Sequence, residues 1–75
     1  MIIVQEIQTS NGVTALTTPE TYATRNEADN SFFYKVSVAS VSQVQIHTVI
    51  MYDEHGNVID RRFYEHFPEP EETTE

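Results

Sequence analysis

Two runs rich in β-branched and apolar residues, Val44 to Tyr52 and Val58 to Tyr64, flank Asp53-Glu54-His55-Gly56-Asn57. Asp suits the first position of a type I turn, and Gly suits the position that needs a left-handed backbone, so the pattern predicts a β-hairpin from Val44 to about His66. If the turn closes symmetrically, positions whose numbers sum to about 110 face one another. One face of the hairpin then holds Ile46, Thr48, Ile50 and Tyr52 opposite Val58, Asp60, Arg62 and Tyr64. The other holds Gln45, His47, Val49 and Met51 opposite Ile59, Arg61, Phe63 and Glu65. Neither face is plainly polar. A one-residue change of register would exchange the faces of one strand.

The amino-terminal third predicts a second hairpin. Ile3, Gln5 and Ile7 alternate with Val4, Glu6 and Gln8, the period-two pattern of a half-buried strand. Asn11-Gly12 supplies the positive φ angles of a tight turn, and the return strand runs from Val13 to about Thr17. Pro19 closes it, since proline has no N–H to give a ladder. Between the hairpins, Asn26 to Gln43 reads either as a helix with Ala28, Phe32, Val36 and Ala39 on one face, or as a strand with alternating aromatic and β-branched residues. Length decides for a helix from about Asn26 to Ser42, capped by Thr24 or Asn26, because some seventeen residues without Gly or Pro are long for a strand.

The expected fold is therefore α+β: β-β-α-β-β, a four-stranded antiparallel sheet with one helix on one face, in a single domain of residues 1–67. Residues 68–75, with alternating Pro and Glu, read as a disordered acidic tail. A chain of 75 residues buries only about 60% of its unfolded surface, so it folds with little margin unless something is added. The absence of cysteine removes disulfides, thiolate metal sites and thiol chemistry. A second copy of the chain needs only apolar surface, and one helix covers only one side of the sheet. The sequence thus predicts a homo-oligomer, with a dimer the simplest form and a protein partner the other occupant. Its interface is expected at Ile46, Ile50, Tyr52, Val58, Arg62 and Tyr64. Tyr52 and Tyr64 serve as anchors there, and Arg62 stacks on a ring or pairs with Asp60. Phe32 and Phe63 are expected in the core, and Phe33, Tyr34 and Phe67 complete the aromatic set.

Twelve Asp and Glu oppose four Lys and Arg, a net charge of −8. Glu69, Glu71, Glu72 and Glu75 fall in the last nine residues, so residues 1–66 carry eight acids against four bases. Direct phosphate-backbone binding is disfavoured, because it depends on clustered cations and only Arg61 and Arg62 adjoin. The acidic surplus suggests a second reading, an inhibitor that imitates nucleic-acid charge, using Glu6, Glu20, Glu27, Asp29, Asp53, Glu54, Asp60 and Glu65. No catalytic motif, phosphate-cradling glycine loop or dinucleotide fingerprint is present, which argues against an enzyme. His47, His55 and His66 sit among carboxylates but match no metal-binding spacing, and Asp53-x-His55-x-Asn57 lacks the twelfth-position Glu of a calcium loop. No metal or cofactor is expected. No apolar run approaches the roughly 20 residues that span a bilayer, and Met1-Ile2-Ile3-Val4 followed by Gln5-Glu6 is not a signal peptide, so the expected location is the cytoplasm.

The opening strand Val4-Gln5-Glu6-Ile7-Gln8-Thr9, the helix opening Asn26-Glu27-Ala28, the turn and strand Asp53-Glu54-His55-Gly56-Asn57-Val58-Ile59 and the Pro/Glu tail together resemble a group of short proteins encoded by phages and prophages of gut Firmicutes. The resemblance spans most of the chain. It departs at Tyr64, where the group commonly has Trp, and in a helical segment richer in Ser and Val. The resemblance implies a mobile-element origin and a small accessory role, and it carries no catalytic residue.

Overall fold

A computed structural model describes residues 1–66. Phe67 and the acidic segment 68–75 lie outside the described residues. In chain order the elements are β1 (Ile2–Ser10), β2 (Val13–Leu16), β3 (Glu20–Tyr22), α1 (Arg25–Ser40), β4 (Ile46–Asp53) and β5 (Val58–Glu65). The class is α+β, with five antiparallel strands where the sequence predicts four. β1 pairs with β4, β4 pairs with β5, and both β2 and β3 lie on the other side of β1.

The additional strand arises just beyond Pro19. Ile7 faces Leu16 in the β1–β2 ladder, whereas Val4 faces Glu20 in the β1–β3 ladder, so one extra residue is taken up between the two pairings. Thr17 bridges the gap: its N–H donates to the Glu6 carbonyl at 3.0 Å and its Oγ1 accepts from the Glu6 N–H at 2.9 Å. Pro19 interrupts this edge without ending it, because an edge strand can lack a donor on its outer side. At the β1–β2 turn, Asn11 (φ 54°) and Gly12 (φ 80°) take the left-handed backbone that the Asn-Gly pair favours.

Helix α1 begins where Thr24 Oγ1 accepts from the Glu27 N–H at 3.3 Å. Ala28, Phe32, Val36 and Ala39 form its buried stripe, as their spacing predicts. This stripe packs on Val4, Val49 and Met51, with Ile2, Tyr22, Ile59 and Tyr64 around the margin. The helix ends on 3₁₀-type bonds, from Val41 N to the Val38 carbonyl (3.2 Å) and from Ser42 N to the Ala39 carbonyl (3.3 Å). His66 Nε2 donates to the Ala39 carbonyl at 2.8 Å, so the end of β5 closes the end of the helix.

The carboxyl-terminal hairpin departs from its expected register. Tyr52 faces Val58 as predicted, but Met51 faces Asp60, His47 faces Tyr64 and Ile46 faces Glu65. Ile59 is therefore the extra residue of a β-bulge. Beyond it, every β5 side chain is turned to the face opposite the expected one. Tyr64 and Arg62 lie on the helix side, where Tyr64 packs against the core. Phe63, expected in the core, is 52% exposed on the open side.

Candidate functional site

Strand alternation assigns each sheet residue to a face once the register is known. The buried residues Val4, His47, Val49 and Met51 mark the helix-covered face. Their neighbours in sequence mark the other, which no element covers among the described residues. From β1 it receives Ile3, Gln5, Ile7 and Thr9, and from β4 Ile46, Thr48, Ile50 and Tyr52. β2 adds Thr14 and Leu16, and β3 adds Thr21. From β5 come Val58, Arg61, Phe63 and Glu65.

Ile3, Ile7, Ile46, Ile50 and Tyr52 are only half-buried there, because cross-strand neighbours shield their flanks but nothing lies above them. Leu16, Val58 and Phe63 are more than half exposed. One polar chain crosses the surface. Tyr52 Oη donates to Gln5 Oε1 at 3.0 Å, and Gln5 Nε2 donates to the Thr17 carbonyl at 2.9 Å, so these groups are satisfied within the face. The face carries two charges of opposite sign, Arg61 and Glu65, and is neutral in a chain of net charge −8.

Of the six residues expected at an interface, Ile46, Ile50, Tyr52 and Val58 share this surface, while Arg62 and Tyr64 lie across the sheet on the helix side. The bulge at Ile59 is the reason. Arg61 and Phe63 occupy the corresponding places, and Arg61 lies 5.8 Å from the centre of the Phe63 ring. Ile3, Ile7 and Leu16 also belong to the surface. Their alternation was readable, but which face β1 presents is decided by β4.

A second grouping lies under the helix. His47, 3% exposed, has Nδ1 2.9 Å from Ser42 Oγ and Nε2 2.5 Å from Glu6 Oε1. Nucleophile, imidazole and carboxylate thus stand in a row, as in acyl-transfer sites. Ser42 Oγ also accepts from the Val44 N–H at 3.3 Å, and no cavity opens over it among the described residues. The row joins β1, β4 and the connection between α1 and β4, and among the described residues it leaves no buried side-chain nitrogen or oxygen without a partner. Nothing in the sequence links residues so far apart.

The carboxylates considered for charge imitation are largely engaged. Glu20 meets Lys35 at 3.0 Å, Asp29 meets Arg25 at 2.7 Å, Glu54 meets the amino terminus at 2.9 Å, and Asp60 lies 3.7 Å from Arg62. Asp53 accepts from the N–H groups of His55 and Asn57, both at 2.9 Å, and so holds its own turn. Three of its oxygen contacts come from that loop, and they hold its carboxyl below the usual carboxylate range, Asn57 contributing most. Among the described residues no three His, Asp or Glu side chains converge as a cation site. Nor, among these residues, is any helix long and apolar enough to cross a membrane.

No protein-family model matches the chain, and neither a curated protein nor a solved structure matches it.

Proposed function

We propose that this chain is a small non-enzymatic interaction module that assembles with copies of itself, in an accessory role in the cytoplasm of a bacterial or phage-infected cell. The observation that carries the reading is the uncovered sheet face, which presents Ile3, Ile7, Ile46, Ile50, Tyr52 and Phe63 interleaved with Gln5, Thr9 and Thr48. Apolar side chains left in water on a small domain carry a free-energy cost that a partner surface removes. A second copy suits it on electrostatic grounds. Two chains of charge −8 repel through their acidic surfaces, but this face, with one Arg and one Glu, is neutral, so two copies meet across it without net repulsion. The phage link rests on the resemblance in strand, turn and tail segments.

The charge-imitation reading is left with less support, since most fixed carboxylates already face a cation or a backbone donor. Sedimentation equilibrium across a hundredfold range of concentration tests the proposal. The native chain is expected to associate reversibly, and Ile50→Glu, which places a charge in the middle of the face, is expected to weaken that association with its fold intact by circular dichroism. A native chain that sediments as a monomer throughout would overturn it.

A further inference from the structure

The geometry points to a defined contact between two copies: β5 of one chain pairs antiparallel with β5 of a second, about a two-fold axis through Phe63. This rests on the self-association reading and adds to the contact across the open face a second one, along the sheet edge. Among the described residues β5 pairs with β4 alone, so its outer edge is unpaired. The Arg61 N–H is turned to that edge, where Asp60 Oδ1 accepts it at 2.8 Å, while the His66 N–H is turned inward to the Gln45 carbonyl at 2.7 Å. Backbone groups alternate along a strand, so Arg61, Phe63 and Glu65 present theirs outward. The opposite edge of the sheet is a poorer template, broken by the shift at Thr17 and by Pro19, which has no N–H.

Symmetry then selects the register. An antiparallel edge contact between identical chains has its axis perpendicular to the sheet, so one residue must face its own copy. Centring on Asp60, Arg61, Arg62 or Glu65 sets a charge against itself, which is unfavourable for directly opposed positions. Centring on Tyr64 avoids this but sets Glu65 opposite Phe63 and Arg62 opposite His66, so no acid meets a base. Centring on Phe63 pairs Arg61 with Glu65 of the second copy twice over, sets Asp60 opposite His66, and lays the two exposed Phe63 rings side by side. Arg61 hands its N–H from Asp60 to the second chain, and the two open faces lie side by side, where the open faces of another pair can cover them.

Charge exchange and cross-linking test this. Arg61→Glu and Glu65→Arg, both at exposed positions, are each expected to weaken the association about tenfold. The double variant R61E/E65R restores it to within about threefold, because the opposed pairs are re-formed with signs reversed. The chain has no cysteine, so Phe63→Cys is expected to give a disulfide-linked dimer on mild oxidation, whereas Val13→Cys, exposed on the opposite edge, does not. If the native chain associates and Ile50→Glu disrupts it, yet the charge variants bind like the native chain and Phe63→Cys does not cross-link, the β5 contact is wrong and self-association stands. A native chain that is monomeric at every concentration overturns both.

Discussion

His47 and Glu6, separated by 41 positions, meet at 2.5 Å beneath the helix and tie the central strand β1 to β4 through side chains as well as backbone. Ser42 completes the row from the other side of the ring. Because His47 is almost wholly enclosed, neither ring nitrogen has water to turn to when a partner is removed. Glu6→Ala is expected to cost about 1–3 kcal/mol, and Ser42→Ala somewhat less, as a lower urea midpoint with an unchanged slope. A midpoint equal to the native one in both variants would mean that the row contributes nothing to stability.

The bulge at Ile59 makes a prediction that the symmetrical hairpin reverses. Tyr64 packs against the core, whereas Phe63 is on the open face. At a concentration where the chain is monomeric, Tyr64→Ala is therefore expected to cost about 2–3 kcal/mol and Phe63→Ala less than about 1 kcal/mol. Denaturant titration of the two variants decides between the registers, since a symmetrical hairpin would exchange the two values.

Acid sensitivity follows from Glu20 and Asp53. Hydrogen bonds from Lys35 and then Tyr22 hold the Glu20 carboxyl below the usual carboxylate range, as the Asn57 and His55 groups do for Asp53. With folded values below unfolded ones, the unfolded chain binds protons first as pH falls. The stabilisation is complete above the unfolded carboxylate values of about 4 and is lost as pH drops through the folded ones. Burial pushes Lys35 down, but its bond to Glu20 and the charges of Glu20 and Glu6 outweigh this and leave it raised. Its contribution is complete below the ordinary lysine value and is lost as pH climbs through the raised one. Glu20→Gln is expected to flatten both arms of a plot of urea midpoint against pH; arms as steep as the native ones would refute the assignment.

Gly56 has φ 85° in the β4–β5 turn, and a Cβ there would touch nothing within 4 Å. The penalty for a side chain is thus conformational, and Gly56→Ala is expected to lower stability by about 1 kcal/mol. Gly12→Ala, at φ 80°, should cost a similar amount by thermal or urea unfolding. A much larger loss at either position would reveal a packing role that the open surroundings do not suggest.

What the sequence determined by itself was local. The helix face at Ala28, Phe32, Val36 and Ala39 follows from the 3.6-residue period, and both hairpins follow from Asn-Gly and Asp-x-x-Gly turns, where backbone sterics act over four or five residues. Its Ile46, Ile50, Tyr52 and Val58 do share one face, because β4 alternates regularly and Val58 precedes the bulge. What only the tertiary structure decided depends on contacts between distant segments. The third strand forms past Pro19 because β1 offers Ile2, Ile3 and Val4 as partners, and Thr17 absorbs the extra residue. Ile59 is taken up as a bulge that lets both Ile59 and Tyr64 pack against the core, and a shift of one residue there moves Arg62 and Tyr64 away from the open face and brings Arg61 and Phe63 to it. A side-chain period of two carries no information about where such a shift occurs, so the composition of the exposed surface became readable only when β4 and β5 were set side by side.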